Sequence, residues 1–260
     1  MLITDYFRNH DDPREPMIIR RAKALRHILV NKSVRIFPDE LIVGNMGSSR
    51  ISAILQPELA SVIMGTELLW IHRRKTTPLQ MSWPDRLRIL TQFFPYWATR
   101  SMAIKAFAPH YAWLLRYVRE QINATYYLIN EAGGIGHFLP NYEKMLARGI
   151  RGHLSSIANK RGPFYDAARI ACEGVVTYAR RLADAAETLA SMEESKMRAA
   201  ELKELARICQ KVPEQPPDTF HEALQALWLT HMGVCLEGLN SAISFGRVDQ
   251  YLYPYLPQGY

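Results

Sequence analysis

The chain has 260 residues, 48% of them hydrophobic and 22% charged, so it can bury a sizeable core and is not disordered by composition. The formal net charge is +7, but the basic groups Arg20-Arg21, Arg73-Arg74-Lys75 and Arg180-Arg181 are scattered and no nucleic-acid motif accompanies them. They read as solvated helix faces, so nucleic acid is not an expected partner and a basic nucleic-acid binder ranks last among the function classes.

From the N-terminus, Ile18, Ala22, Leu25 and Leu29 share one helical face, and Pro16 can open that helix because its first turn needs no amide donor there. Val34-Arg35-Ile36 and Leu41-Ile42-Val43, around the turn residues Pro38-Asp39, predict a small hairpin. Residues 44–52 read as a loop. Pro57-Glu58 starts a helix that runs through Trp70, and a further helix is expected from Pro84 to Trp97 despite Pro95. A glycine-rich stretch then carries Gly133, Gly134, Gly136 and His137. A helix should resume near Tyr142 and end about Ala158.

The clearest helix spans Phe164 to Leu189, where Phe164, Ala168, Ala171, Val175, Tyr178, Leu182, Ala185 and Leu189 form a heptad-like stripe. Its alanines suggest close packing on other helices of one domain. A helix from Lys196 to Gln210 follows. Pro213, Pro216 and Pro217 make a tight connection, and Thr219 to Glu222 has capping-box spacing. Phe220, Leu224, Leu227, His231 and Val234 form the last stripe. The fold class on these grounds is mainly α with a few short strands.

Chemistry-bearing residues are few. Gly134-x-Gly136 lacks the third glycine of a dinucleotide fingerprint. The flexible backbone there either delivers the His137 imidazole to a cavity or leaves it bonded to nearby backbone. Asn240, Ser241 and Ser244 belong to a small-residue segment that either lines a ligand pocket or permits tight helix packing. Arg247 and Asp249, two apart on an expected strand, suit a partly buried structural ion pair.

Cys235 adjoins the apolar stripe and reads as a small hydrophobe. Cys172, Cys209 and Cys235 form no C-x-x-C pair, and no histidine has metal-ligand spacing, so neither a catalytic residue nor a metal site is assigned. The sparse cysteines fit a reducing cytoplasm. With no signal peptide and no membrane-length apolar run, a membrane is not an expected partner.

Several segments together resemble the N-terminal part of glycyl radical enzymes, the superfamily of pyruvate formate-lyase and glycerol dehydratase. They are Arg20 to Leu25, Pro38-Asp39-Glu40-Leu41-Ile42-Val43-Gly44-Asn45, Pro57-Glu58-Leu59, Glu67-Leu68, Gly136-His137, Tyr142 to Gly149, Glu201-Leu202, Ile208-Cys209, Phe220 to Gln225, and Gly246 to Tyr255. The resemblance implies that residues 1–260 are the helical N-terminal part of a ten-stranded α/β barrel domain, incomplete at the C-terminus.

It also implies a radical lyase, dehydratase, decarboxylase or formate C-acetyltransferase-like chemistry in anaerobic cytoplasm. A backbone glycyl radical, installed by an S-adenosylmethionine-dependent iron-sulfur activating enzyme, makes a thiyl radical on a Gly-Cys-x-Glu loop. That thiyl cleaves a C–C, C–O, C–N or C–S bond of a small-molecule substrate. Neither the cysteine loop nor the radical glycine motif occurs in these 260 residues, so the fragment alone is expected to be inactive and to bind no cofactor.

Val234 stands where the loop's glycine would precede Cys235, so that role is not carried over. The implied pocket residues are His137, Asn240, Ser241 and Ser244. Ser241-Ala242 replaces the His-Ser pair of glycerol dehydratase-like members, which makes glycerol a poor substrate. The implied partners are the activating enzyme, the substrate, and a second copy in the full-length enzyme. The alternative is a truncated, non-catalytic helical interaction module.

Overall fold

A computed structural model describes residues 1–50, 54, 57–58, 68, 70–75, 78, 80–101, 104–105, 109, 116, 119–120, 123, 138–237 and 243–257. The chain divides into two compact units. The larger comprises Leu2–Ser52, Leu139–Glu237 and Ile243–Tyr260, and the smaller is built mainly from Ala53–Phe138.

The described residues are mainly helical, as expected. In the larger unit α1 is Leu2–Asn9 and α2 is Met17–Asn31, which Pro16 immediately precedes. In the smaller unit α3 is Trp83–Arg88, and Ser82 caps it by accepting from the Asp85 amide at 3.2 Å. A π turn, Ile89–Phe93, joins α3 to α4, Phe94–Trp97. Pro95 has no amide to donate and its ring crowds the preceding turn, so the helix widens just ahead of it and continues. The expected helix from Pro57 to Trp70 falls mostly outside the described residues.

The rest of the larger unit is α5 (Tyr142–Ser156), α6 (Pro163–Met192), α7 (Lys196–Lys211), α8 (Phe220–Glu237) and α9 (Val248–Leu252). The long α6 packs against both α2 and α7. Its buried face is mostly small: Ala167, Gly174, Ala179, Ala183, Ala186 and Ala190, with Tyr178 and Leu182 among them. A Cβ at Gly174 would lie 3.1 Å from the Arg26 Cα and 3.2 Å from the Leu29 Cδ1, so α2 and α6 nearly touch backbone to backbone.

The expected heptad stripe is therefore only partly the buried one. Tyr178 and Leu182 are fully buried, but Phe164 and Leu189 at its ends are exposed. With neighbours on two sides, α6 turns its alanines inward and leaves the bulky ends of the stripe to solvent.

Helix α8 touches α2, α5, α6, α7 and α9, and it is buried nearly all round. The Thr219 hydroxyl accepts from the Glu222 amide at 3.2 Å, as the capping-box spacing predicts. The Glu222 carboxylate accepts from the Asp218 amide at 2.7 Å, and from Arg207 and Lys211 at 2.8 and 2.5 Å. At the other end, Arg21 donates to the Glu237 carbonyl at 2.5 Å, a cation at a helix C-terminus.

Two expectations need correction. The hairpin over 34–43 does not form, because the backbone there is satisfied by side chains from distant helices. Gln225 donates to the Val43 carbonyl and accepts from the Val43 amide, both at 2.8 Å. His221 lies 2.6 Å from the Leu41 carbonyl, Trp228 donates to the Gly44 carbonyl at 2.7 Å, and Arg198 donates to the Phe37 and Glu40 carbonyls at 3.1 Å each.

Helix α5 is also kinked, at Gly149 (φ 62°). The break frees the amides of Ile150 and Arg151, which donate to the carbonyls of Pro213 and Glu214 at 2.9 and 2.8 Å. A Cβ at Gly149 would lie 2.6 Å from the Glu214 carbonyl oxygen, so only glycine fits this contact.

Candidate functional site

His231, on α8, sits at the centre of an aromatic cluster that holds the segment entering α9. Periodicity places His231 on the inner face of α8, where it is buried. Its Nδ1 lies 2.7 Å from the hydroxyl of Tyr142 at the start of α5, and its Nε2 lies 3.4 Å from the thiol of Cys235, one turn along. Phe245 stacks on the imidazole with centroids 3.9 Å apart. Tyr142 also stacks on Phe245, at 5.9 Å, and the Tyr251 hydroxyl donates to the Phe245 carbonyl at 2.8 Å.

Burial sets the charge state of this group. It lowers the His231 pKa and raises those of Cys235 and Tyr251. Burial, with smaller contributions from Cys235 and Tyr251, also raises that of Tyr142. All four side chains are therefore neutral near pH 7. Two arrangements fit: the phenol donates to Nδ1 and Nε2–H faces the Cys235 sulfur, or Nδ1–H donates to the phenol oxygen and Nε2 accepts from the thiol. A protonated thiol in this setting is a poor nucleophile, in keeping with the structural reading of Cys235. The cluster's role is mechanical: it fixes Phe245 by ring faces and by its own carbonyl.

Of the residues expected to line a pocket, His137, Asn240 and Ser241 lie outside the described residues. Ser244 is exposed, and its hydroxyl accepts from the Gly246 amide at 3.0 Å. Arg247 and Asp249 form a two-pronged pair at 3.1 and 2.9 Å. It is neither partly buried nor on a strand. Both side chains are more than 60% exposed, Arg247 stands at the N-terminal boundary of α9 without a side-chain cap bond, and Asp249 lies in that helix's first turn, where a carboxylate is favoured.

Sequence reasoning missed the hub itself, since His231 reads as one more member of an apolar stripe. The available signal was a histidine four residues before a cysteine, in the nearly all-apolar second half of that helix. Among the described residues one group has donors placed for a metal ion, namely Asp5 on α1, His10 just past its end and His27 on α2.

This helical unit, with its capped α8 and the Gly246-to-Tyr255 string docked on it, is that of a glycyl radical enzyme. The chain belongs to the pyruvate formate lyase-like family, whose model matches residues 1–259. It is 31% identical over 261 residues to isethionate sulfite-lyase of Nitratidesulfovibrio vulgaris, covering 93% of this chain and 32% of that protein. It is 29% identical over 273 residues to trans-4-hydroxy-L-proline dehydratase of Clostridioides difficile, covering 98% and 34%.

Among solved structures, a glycyl radical enzyme from Archaeoglobus fulgidus matches with a TM-score of 0.85 and 34% identity, over 98% of this chain and 34% of that one. The B12-independent glycerol dehydratase from Clostridium butyricum matches with a TM-score of 0.86 and 30% identity, over 98% and 33%. The chain thus spans about a third of the length of these relatives. Among the described residues no helix is long and apolar enough to cross a membrane.

Proposed function

We propose that residues 1–260 supply the N-terminal part of a pyruvate formate-lyase-type domain. The complete enzyme would use a thiyl radical to eliminate a group from a small molecule in anaerobic cytoplasm. The observation that carries this reading is the family match across residues 1–259 at about a third of the relatives' length. The relatives' names, sulfite-lyase and dehydratase, favour C–S or C–O elimination over formate C-acetyltransfer.

In this reading His137, Asn240, Ser241 and Ser244 are the residues that face the substrate, as the family likeness implies. Ser241-Ala242 cannot supply the same hydrogen bonds to a diol as a His-Ser pair, so glycerol is rejected. The radical glycine and the attacking cysteine come from polypeptide outside these 260 residues. An iron-sulfur activating enzyme using S-adenosylmethionine installs the radical, and the complete enzyme pairs as a homodimer.

The test is to read the coding sequence past codon 260 for an in-frame Gly-Cys-x-Glu loop. The 260-residue polypeptide and the extended one are then each incubated anaerobically with activating enzyme and S-adenosylmethionine. A glycyl electron-spin doublet from the extended chain alone supports the proposal. A doublet or turnover from the 260-residue chain, or no such loop downstream, overturns it.

A further inference from the structure

We propose that Asp5, His10 and His27 form a binding site for a divalent transition-metal ion of the zinc type, on the opening helical pair. The donor atoms of the three side chains all lie within 4.8 Å of one another. Both imidazoles direct Nε2 at one carboxylate oxygen, Asp5 Oδ2, His27 from 2.9 Å and His10 from 3.6 Å. Only His27 is close enough to bond that oxygen, so His10 is held beside it, its ring 5.1 Å from that of His27, without an equivalent contact.

Two imidazole nitrogens and a carboxylate are a donor set suited to zinc, with room for a fourth ligand. Asn9 donates to the other Asp5 oxygen at 2.8 Å and fixes the carboxylate.

His10 and His27 line a cleft of about 580 Å³, so the donor atoms stand where an ion can reach them from solvent.

Local charge does not oppose a cation. Lys23 is tied to Glu15 at 2.5 Å and Arg26 faces Glu173 at 3.4 Å. With Asp5 the formal sum is two positive against three negative, or −1 with neutral imidazoles.

The test uses the 260-residue chain with Zn2+ and Co2+ as probes. Zinc is titrated by competition with a chromogenic chelator, and the imidazole nitrogens are followed by 15N NMR. The expected result is about one equivalent bound at about 10 µM or tighter, with two imidazoles shifting together. His10→Ala, on an exposed ring, and Asp5→Asn should each weaken binding at least about fivefold, and His153→Ala on α5 should not.

Circular dichroism checks that the variants fold, and the NMR readout needs no variant at all. Binding weaker than about 100 µM, other histidines shifting, or either variant weakening binding less than about fivefold overturns the site.

Discussion

The side-chain amide of Gln225 makes both backbone hydrogen bonds of Val43, each at 2.8 Å, and so takes the place of a neighbouring strand. Val43 and Gln225 are both fully buried. Gln225→Leu would strand one donor and one acceptor in the interior, at about 1–3 kcal/mol apiece. The expected loss is about 2–5 kcal/mol, read as a lower urea midpoint at unchanged slope. A midpoint equal to wild type would show that this loop finds other partners.

Glu222 makes the chain acid-sensitive. Burial pushes its pKa up, but the Asp218 amide, Lys211 and Arg207 together outweigh this and hold it down to about 2. The folded pKa lies below the unfolded value of about 4.3, so the stabilisation is present above that value and is lost as pH falls toward 2. Glu222→Gln should cost about 1–3 kcal/mol at pH 7 and flatten the stability curve between pH 5 and 2, seen in melts across that range.

Lys32 adds a slope of the same sign at alkaline pH, because the fold disfavours its charged form. It is buried, donates to the Asn45 carbonyl and to the Tyr178 hydroxyl, and has no carboxylate partner among its hydrogen bonds. Burial, with Arg181 adding to it, lowers its pKa to about 8. Between that value and about 10.4 the unfolded chain holds more protons, so this lysine makes stability rise with pH, by up to about 1.4 kcal/mol per unit. Wild type and Lys32→Met compared from pH 7.5 to 10 should differ by that slope; parallel curves would refute it.

Tyr142→Phe removes the hydrogen bond to His231 Nδ1 and should cost about 1–2 kcal/mol. In wild type, burial keeps His231 neutral at pH values where exposed histidines are charged. A 15N titration should therefore show His231 gaining its second proton at a lower pH than a free imidazole, and the nitrogen shifts of the neutral ring report which way the Tyr142 bond runs. A midpoint at or above the free value would refute this.

The long helices were legible because their apolar spacing and caps agree, as at Thr219 to Glu222 and from Pro163 onward. The 34–43 segment misled because alternation records which residues are buried, and it cannot say whether the backbone partner is a strand or a glutamine far along the chain. The kink at Gly149 depends on the carbonyls of Pro213 and Glu214, which no local pattern reveals.

The site was less legible. Arg247 and Asp249 pair as their spacing allows, but on a helix start in solvent. The hub at His231 depends on Tyr142, Phe245 and Tyr251 arriving from other elements. His137, Asn240 and Ser241 fall outside the described residues, and their roles rest on family likeness.

Helix α8 offers water almost no side, which has a practical bearing on how the polypeptide can be cut. It has no hydrophilic flank on which to survive alone, so removing the first thirty or so residues would strip α2 from it and bare a sticky, mostly aliphatic rod. Shortened versions that begin after Asn31 should collect as insoluble material.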